Sequence, residues 1–488
     1  MGSVSRQPIL RLKGQELVPP DEDRRVEIGV YDVLLPCRKY EVSYKVAVLG
    51  KVSPSLEFLL RLLKSVPGLS DEATAAFFGY SRAEIAYVLN EAIGPGFVER
   101  KDARLWLTTA GDGLFKEGED EPAIFSVEDR RRAVGFDLLA IAPQQPRPVD
   151  SVEQWLPELP IEDGAGTGRV AEKITERFGR FFHELADRND REQFQRRDLY
   201  SIDGVIPKER FQAPVRIRAF AQASSPSLAE IDLSSWRPDH EVADRAQIEN
   251  SAALLIEDLK VTGNQLNANL AYEVLAELAP EFLKEFITRS GLAANRYWRE
   301  AVGRAGEPRS DRKTIPIVGP LYTEDNAKRL LGVLDYGLRD KAELADFVLS
   351  VAPQTGFWGA TTQLRDTLTF LRRRIGLNPT AESPDVSTVC LFAGKPPRYV
   401  ERTFDEIHCS DAPEFPPALE MMIFPRVAVA ALVHAPIGAT SGQAVPLGWA
   451  TFDEQVVARA QTYVADRLGR FVQDDVLYDR YTDALSAG

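Results

Sequence analysis

Residues 80–92 read Tyr80-Ser81-Arg82-Ala83-Glu84-Ile85-Ala86-Tyr87-Val88-Leu89-Asn90-Glu91-Ala92. Ser81 with Glu84 three positions later is a capping box, in which serine and glutamate each satisfy a backbone N–H at a helix start. Behind it, Ile85, Val88, Leu89 and Ala92 recur at helical spacing and form one apolar face, and Gly94-Pro95-Gly96 ends the helix. Upstream, Ser53-Pro54 opens another helix, because proline fits the first helical position and serine caps it. Leu56, Leu59, Leu60 and Leu63 form its apolar stripe, and Pro67-Gly68 terminates it. A short helix follows Ser70, with Asp71 and Glu72 at its positive end; it carries Ala75, Ala76 and Phe77 and stops at Gly79. Downstream, Phe97-Val98, a polar tip from Glu99 to Arg104, and Leu105-Trp106-Leu107 alternate like a short hairpin.

Helix, helix–turn–helix, hairpin is the order of a winged helix, and residues 53–115 resemble the winged helix-turn-helix superfamily. Winged helices of bacterial regulators often end in L-T-x-x-G-x-x-L, and this chain has Leu107-Thr108-Thr109-Ala110-Gly111-Asp112-Gly113-Leu114. The resemblance implies a third helix that enters the DNA major groove and a wing that touches the backbone. Carried over by position, Arg82, Tyr87 and Asn90 face DNA from the helix, and Arg100, Lys101 and Arg104 from the wing. Charge opposes strong binding: the stretch holds six Lys/Arg against eight Asp/Glu, a net of −2. Winged helices also serve as protein-docking modules.

The whole chain of 488 residues is acidic too, with 59 basic against 73 acidic side chains and a net charge of −14. Its composition, 44% hydrophobic and 27% charged, is that of a globular protein and excludes collagen-like or wholly disordered chains. Three cysteines exclude a disulfide scaffold, and a cytoplasmic location is expected. The longest apolar stretch, Met421 to Val433, contains Pro425 and Arg426 and is too short to span a bilayer, so no membrane association is expected. The start, Met1-Gly2-Ser3-Val4-Ser5-Arg6, has no apolar signal core, and Arg6 stands where a myristoylation motif wants Ser or Thr.

Helical and strand patterns alternate along the chain, which predicts a mixed α/β protein of several domains. Strands are read at Val26–Leu35, Val42–Leu49, Val134–Ala142, Asp198–Ile206, Val215–Phe220, Ser387–Phe392 and Val427–Val433. Helices are read at 167–187, 252–290, 323–338, 341–350, 361–375 and 452–468. Pro-rich residues 143–150 suggest one boundary and the polar stretch 303–314 a second. The resulting domains are 1–142, 151–305 and 315–488, the first an N-terminal β segment with the winged helix at its core.

Chemistry-bearing patterns are sparse. Gly164-Ala-Gly-Thr-Gly168 lacks a preceding strand and a Walker lysine, and reads as a flexible turn. His183-Glu184 begins like a zincin helix but offers Asp187 where the second histidine is required. Ser383-Pro-Asp385 before an apolar strand is a faint echo of a nuclease core, without its paired acid and lysine. The densest reactive cluster is Asp405-Glu406-Ile407-His408-Cys409-Ser410-Asp411; Asp405, Glu406, His408 and Asp411 are the candidate acid–base groups. Adjacent Asp405 and Glu406 point to opposite faces of a strand. No cofactor or metal is expected.

Basic residues cluster at Arg296, Arg299, Arg304, Arg309, Arg312 and Lys313, interleaved with Tyr297 and Trp298, a mixture that suits nucleic-acid strands. Arg372-Arg373-Arg374 ends a helix, where cations favour its dipole. The expectation is a nucleic-acid-associated adaptor or regulator that meets DNA through its winged helix and has protein partners. Similar architectures occur in bacterial antiviral-defence complexes. The alternatives are a nuclease or other hydrolase with its site in the C-terminal domain, and a protein-only scaffold.

Overall fold

The computed structural model describes residues 23–49, 53–116, 120–161, 169–186, 197–236, 245–303, 306–339, 341, 344–376 and 386–486. The chain is mixed α/β, with two large sheets and several small ones. The first element among the described residues is a single strand, β1 (Arg25–Leu49). Three helices follow: α1 (Pro54–Ser65), α2 (Asp71–Phe78) and α3 (Arg82–Ile93). A hairpin of β2 (Val98–Lys101) and β3 (Arg104–Leu107) comes next, then β4 (Phe125–Asp137). Helix α4 (Val170–Arg180) leads to β5 (Arg197–Gln222) and β6 (Ser225–Asp232).

These long strands form one antiparallel sheet in the order β4-β1-β5-β6. The sequence reads β1 and β5 as two strands each, but both run unbroken, for 25 and 26 residues. Register shifts, such as that between Arg38 and Tyr40, absorb the interruptions. Through the pairing of β1 with β5, residues read from sequence as parts of 1–142 and 151–305 share this sheet. The Pro-rich segment 143–150 is anchored rather than loose: Gln144 donates its N–H to Gly135 at 2.8 Å, and Asp150 pairs with Arg365 at 2.7 Å. The strand read at Val134–Ala142 ends at Asp137, whose buried carboxylate accepts N–H groups from Leu139, Ala140 and Ala142 and turns the chain.

Strands β1 and β4 pair as far as Leu49 and Phe125, and the three helices and small hairpin lie in the connection between those ends. This insert has its own core of Leu56, Leu59, Leu60, Leu63, Ile85, Val88, Leu89, Ala92, Val98 and Leu105. Helix α4, by contrast, lays Ile174 and Phe178 over Tyr44 and Val46 of the long sheet, with Phe181, Phe182 and Leu185 continuing the same core.

The C-terminal half begins with α5 (Arg245–Glu257), α6 (Ala268–Leu278) and α7 (Ala294–Gly303). It continues β7 (Thr314–Val318), α8 (Glu324–Gly337), β8 (Phe347–Val351), α9 (Thr362–Gly376), β9 (Ser387–Ala393) and β10 (Glu406–Ser410). Last come β11 (Leu419–Phe424), β12 (Ala428–Ala435), β13 (Val445–Thr451), α10 (Glu454–Leu468) and α11 (Asp475–Ser486). Seven strands form a mixed sheet in the order β7-β13-β12-β11-β8-β9-β10, parallel only across β8, β9 and β10.

Helices cover both faces. Helices α6, α7, α10 and α11 pack on Phe347, Leu349, Met421 and Trp449, while α8 and α9 pack on Val348, Met422, Ala430 and Leu432. Burial on both faces makes the central strands β8, β11 and β12 largely apolar, and that explains one correction. Residues 347–350, read as the end of a helix over 341–350, belong to the fully buried strand β8. Gly319, at φ +83°, joins the two large sheets; a Cβ there would lie 2.2 Å from the Glu27 carbonyl oxygen in β1.

Candidate functional site

Local sequence shapes the inserted module as its capping residues dictate. Ser81 and Glu84 exchange both capping-box bonds at the start of α3, and the bond to the Ser81 backbone holds the Glu84 carboxyl below its usual range. Ile85, Val88, Leu89 and Ala92 are buried, so the opposite face of α3 turns outward. Arg82, Ala83, Ala86, Tyr87 and Asn90 are all exposed there, Tyr87 by 65%. The hairpin turns at Asp102 and Ala103, both at positive φ (50° and 60°), the geometry of a type I′ turn. It carries Arg100, Lys101 and Arg104, all exposed, but their charges are partly spent within the module. Arg100 pairs with Asp71 at 2.6 Å, Lys101 pairs with Glu99, and Arg104 donates to the Gly68 carbonyl at 3.3 Å. Arg61 and Lys64 are likewise engaged, by Glu57 and Asp112. Arg82 has no ion pair among the described residues. Phe77 and Phe58, 67% and 52% exposed, put further aromatic surface on α2 and α1.

At the second basic cluster, Tyr297 and Trp298 are core residues, not stacking platforms. Tyr297 donates to the Gly448 carbonyl at 2.6 Å and Trp298 to that of Ala223 at 2.8 Å. Helical spacing separates them from Arg296 and Arg299, which face solvent on the other side of α7. Arg309 is also exposed, and Lys313 lies 3.7 Å from Asp453. Arg312 and Lys313 line a groove of about 900 Å³, alongside Glu281, Glu285, Glu300, Asp311 and Asp453. The groove wall is therefore mainly acidic. Arg304 lies outside the described residues.

The C-terminal cluster divides as strand geometry requires. Asp405 precedes β10, and one of its carboxylate oxygens accepts from the Thr388 N–H at 2.8 Å, the Thr388 hydroxyl at 2.9 Å and Arg372 at 3.0 Å. That set of bonds ties the strand end together. Asp411 is exposed beyond the strand. Glu406 and His408 share one face of β10, where α11 supplies two partners that spacing in the sequence did not reveal. The Tyr481 hydroxyl donates to Glu406 at 2.5 Å and lies 3.3 Å from His408 Nε2, while Arg480 sits 3.6 Å from Glu406. Burial lowers the His408 imidazole below its ordinary value against the opposing pull of Glu406. Burial, then the bond to Glu406, raises the Tyr481 phenol.

One buried polar centre was missed from sequence. His434 Nε2 lies 2.5 Å from Glu420 Oε2 across the β11/β12 hairpin, and the Trp358 indole donates to Glu420 Oε1 at 3.2 Å. Tyr31, Tyr322 and Gln443 close the space beside them to about 20 Å³, room for a single water. Burial drives Tyr31 up to about 12 and Tyr322 well above its usual value. A lone Glu and a lone His, each in an otherwise apolar strand, were the available signal. The Glu420–His434 contact joins the two strands of the hairpin beside that small space.

Among the described residues, no group of three His, Cys, Asp or Glu side chains is placed to hold a metal ion, and no helix is long and apolar enough to cross a membrane. Residues Gly164–Gly168, Asp187 and Ser383–Asp385 lie outside the described residues. Comparison of the chain with family models, with curated proteins and with solved structures finds no match.

Proposed function

We propose that residues 53–115 are a winged helix and that the protein is a nucleic-acid-associated adaptor or regulator, with this module as the head that meets duplex DNA. The observation that carries the reading is the outward row of α3. Ala83 and Ala86 leave room for close approach to a groove floor, and Arg82, Tyr87 and Asn90 flank them with one cation, one aromatic ring and one amide. An amide and a guanidinium are the groups that read base edges bidentately, and the hairpin cations contact phosphates. Because Arg100 and Lys101 are already paired with carboxylates, binding is expected to be weak and salt-sensitive. A partner protein then supplies the remaining affinity in a complex.

The test is fluorescence anisotropy of a labelled duplex titrated with the full chain at low salt. The triple variant Arg82→Ala/Lys101→Ala/Arg104→Ala is expected to bind at least about tenfold more weakly, with a shallower dependence on salt. An unchanged affinity and slope removes the module from DNA contact. A second reading, a protein-docking head, draws on the exposure of Phe58, Phe77 and Tyr87. It is favoured if Tyr87→Ala abolishes capture of a protein partner while duplex binding is absent from the wild type.

A further inference from the structure

The groove beside α7 has a character that the head does not explain. Its floor is apolar, formed by Phe282, Phe286, Ala301 and Pro316, and its walls bear the five carboxylates of Glu281, Glu285, Glu300, Asp311 and Asp453 against two cations, Arg312 and Lys313. At about 900 Å³ it falls within the size range of ligand-binding clefts. We propose that this groove is a docking site for a basic amphipathic peptide segment of a protein partner, one in which Arg or Lys alternates with apolar side chains.

Charge complementarity decides among occupants. A phosphate-bearing strand meets mostly like charge on these walls, and a wholly apolar ligand would desolvate carboxylates without pairing them. A long cationic side chain answers both features, since its stem covers aromatic rings while its head meets carboxylates. Phe286 already faces one cation, the Arg296 guanidinium at 5.8 Å from its ring. Part of the acidic wall is balanced internally: Arg459 meets Glu281 at 3.1 Å and Lys313 lies 3.7 Å from Asp453. Glu285 and Asp311 are exposed and carry no ion pair among the described residues. They are the two carboxylates left to receive the partner's cations.

The test uses the full chain and a fluorescein-labelled synthetic peptide alternating Arg and Leu, followed by anisotropy, with a Glu–Leu peptide as counterpart. Saturable binding of the basic peptide alone is expected, and the double variant Glu285→Gln/Asp311→Asn should weaken it by about tenfold. Asp258→Asn/Asp479→Asn removes the same amount of negative charge from exposed positions elsewhere and should leave the affinity unchanged. Circular dichroism of each variant verifies that it is folded. The proposal is overturned if the two double variants weaken binding equally, if the Glu285/Asp311 variant binds like the wild type, or if the Glu–Leu peptide binds as well as the basic one.

Discussion

At the scale of single residues, the protein holds several groups in positions that cost free energy locally. Ala103 sits at φ 60° in the hairpin turn, where a Cβ is disfavoured by on the order of 1–2 kcal/mol and glycine is not. Ala103→Gly is therefore expected to slow amide exchange across Val98–Leu107; faster exchange would mean that the turn is not of this type. His408 has its folded pKa lowered by burial. For such a histidine the unfolded chain binds the proton more tightly, so its stability contribution is complete above about pH 6.5 and declines as pH falls below that. An NMR titration of the imidazole should place its midpoint below that of a free histidine, and a midpoint above it would show that Glu406 outweighs burial. The Glu420–His434 pair is sealed in the core, with exposures of 2% and 5%. Removing one partner strands the other, so Glu420→Leu and His434→Leu are each expected to cost about 3–5 kcal/mol, whereas replacing both by leucine costs less than the two single changes summed. Urea unfolding of the three variants tests this, and additive losses would contradict it.

At the scale of elements, periodicity was legible where one face of a helix is buried and obscure where a strand is long or doubly buried. The apolar stripes of α1, α3, α8, α9 and α10 were all readable, because helices with one buried face write their period into the sequence. Strand β8 was misread because Phe347-Val-Leu-Ser-Val351 is buried on both faces and shows no alternation. Strands β1 and β5 were cut in two because Pro36 in one and Pro207 in the other look like breaks, yet each is paired within the β1–β5 ladder, Pro36 with Gln212 and Pro207 with Tyr40. The joint between the two halves was invisible for another reason: it depends on contacts between residues far apart in sequence. Asp32 in β1 accepts from Arg216 at 2.6 and 2.9 Å and from the Thr362 N–H at 2.8 Å, so a strand residue caps the start of α9. Asp32→Ala is expected to cost about 3 kcal/mol, since Arg216 and the start of α9 lose their partner together. Thermal unfolding checks this, and a loss no larger than that of an exposed ion pair would contradict it.

At the scale of the whole molecule, the acidic total and the module that resembles a DNA-binding head have to be reconciled. Much of that reconciliation lies inside the module, where carboxylates at Asp71, Glu99 and Glu57 sit against Arg100, Lys101 and Arg61. A count of charges showed the deficit from the sequence, but which cations are already engaged depends on the folded positions of α2 and the hairpin. The same limit applied at Arg296–Lys313, where the basic composition was legible and the acidic groove around it was not, because Glu281, Glu285 and Asp453 arrive from other segments. The central claim is that the outward face of α3 meets duplex DNA. Its most direct test is site-specific photo-cross-linking, with p-benzoylphenylalanine installed in place of Tyr87 or, as a remote control, in place of Val476, which is more open to solvent than Tyr87, on α11. Covalent adducts with a labelled duplex are expected from position 87 and not from position 476; adducts from both positions, or from neither at protein concentrations that shift the duplex, would contradict it.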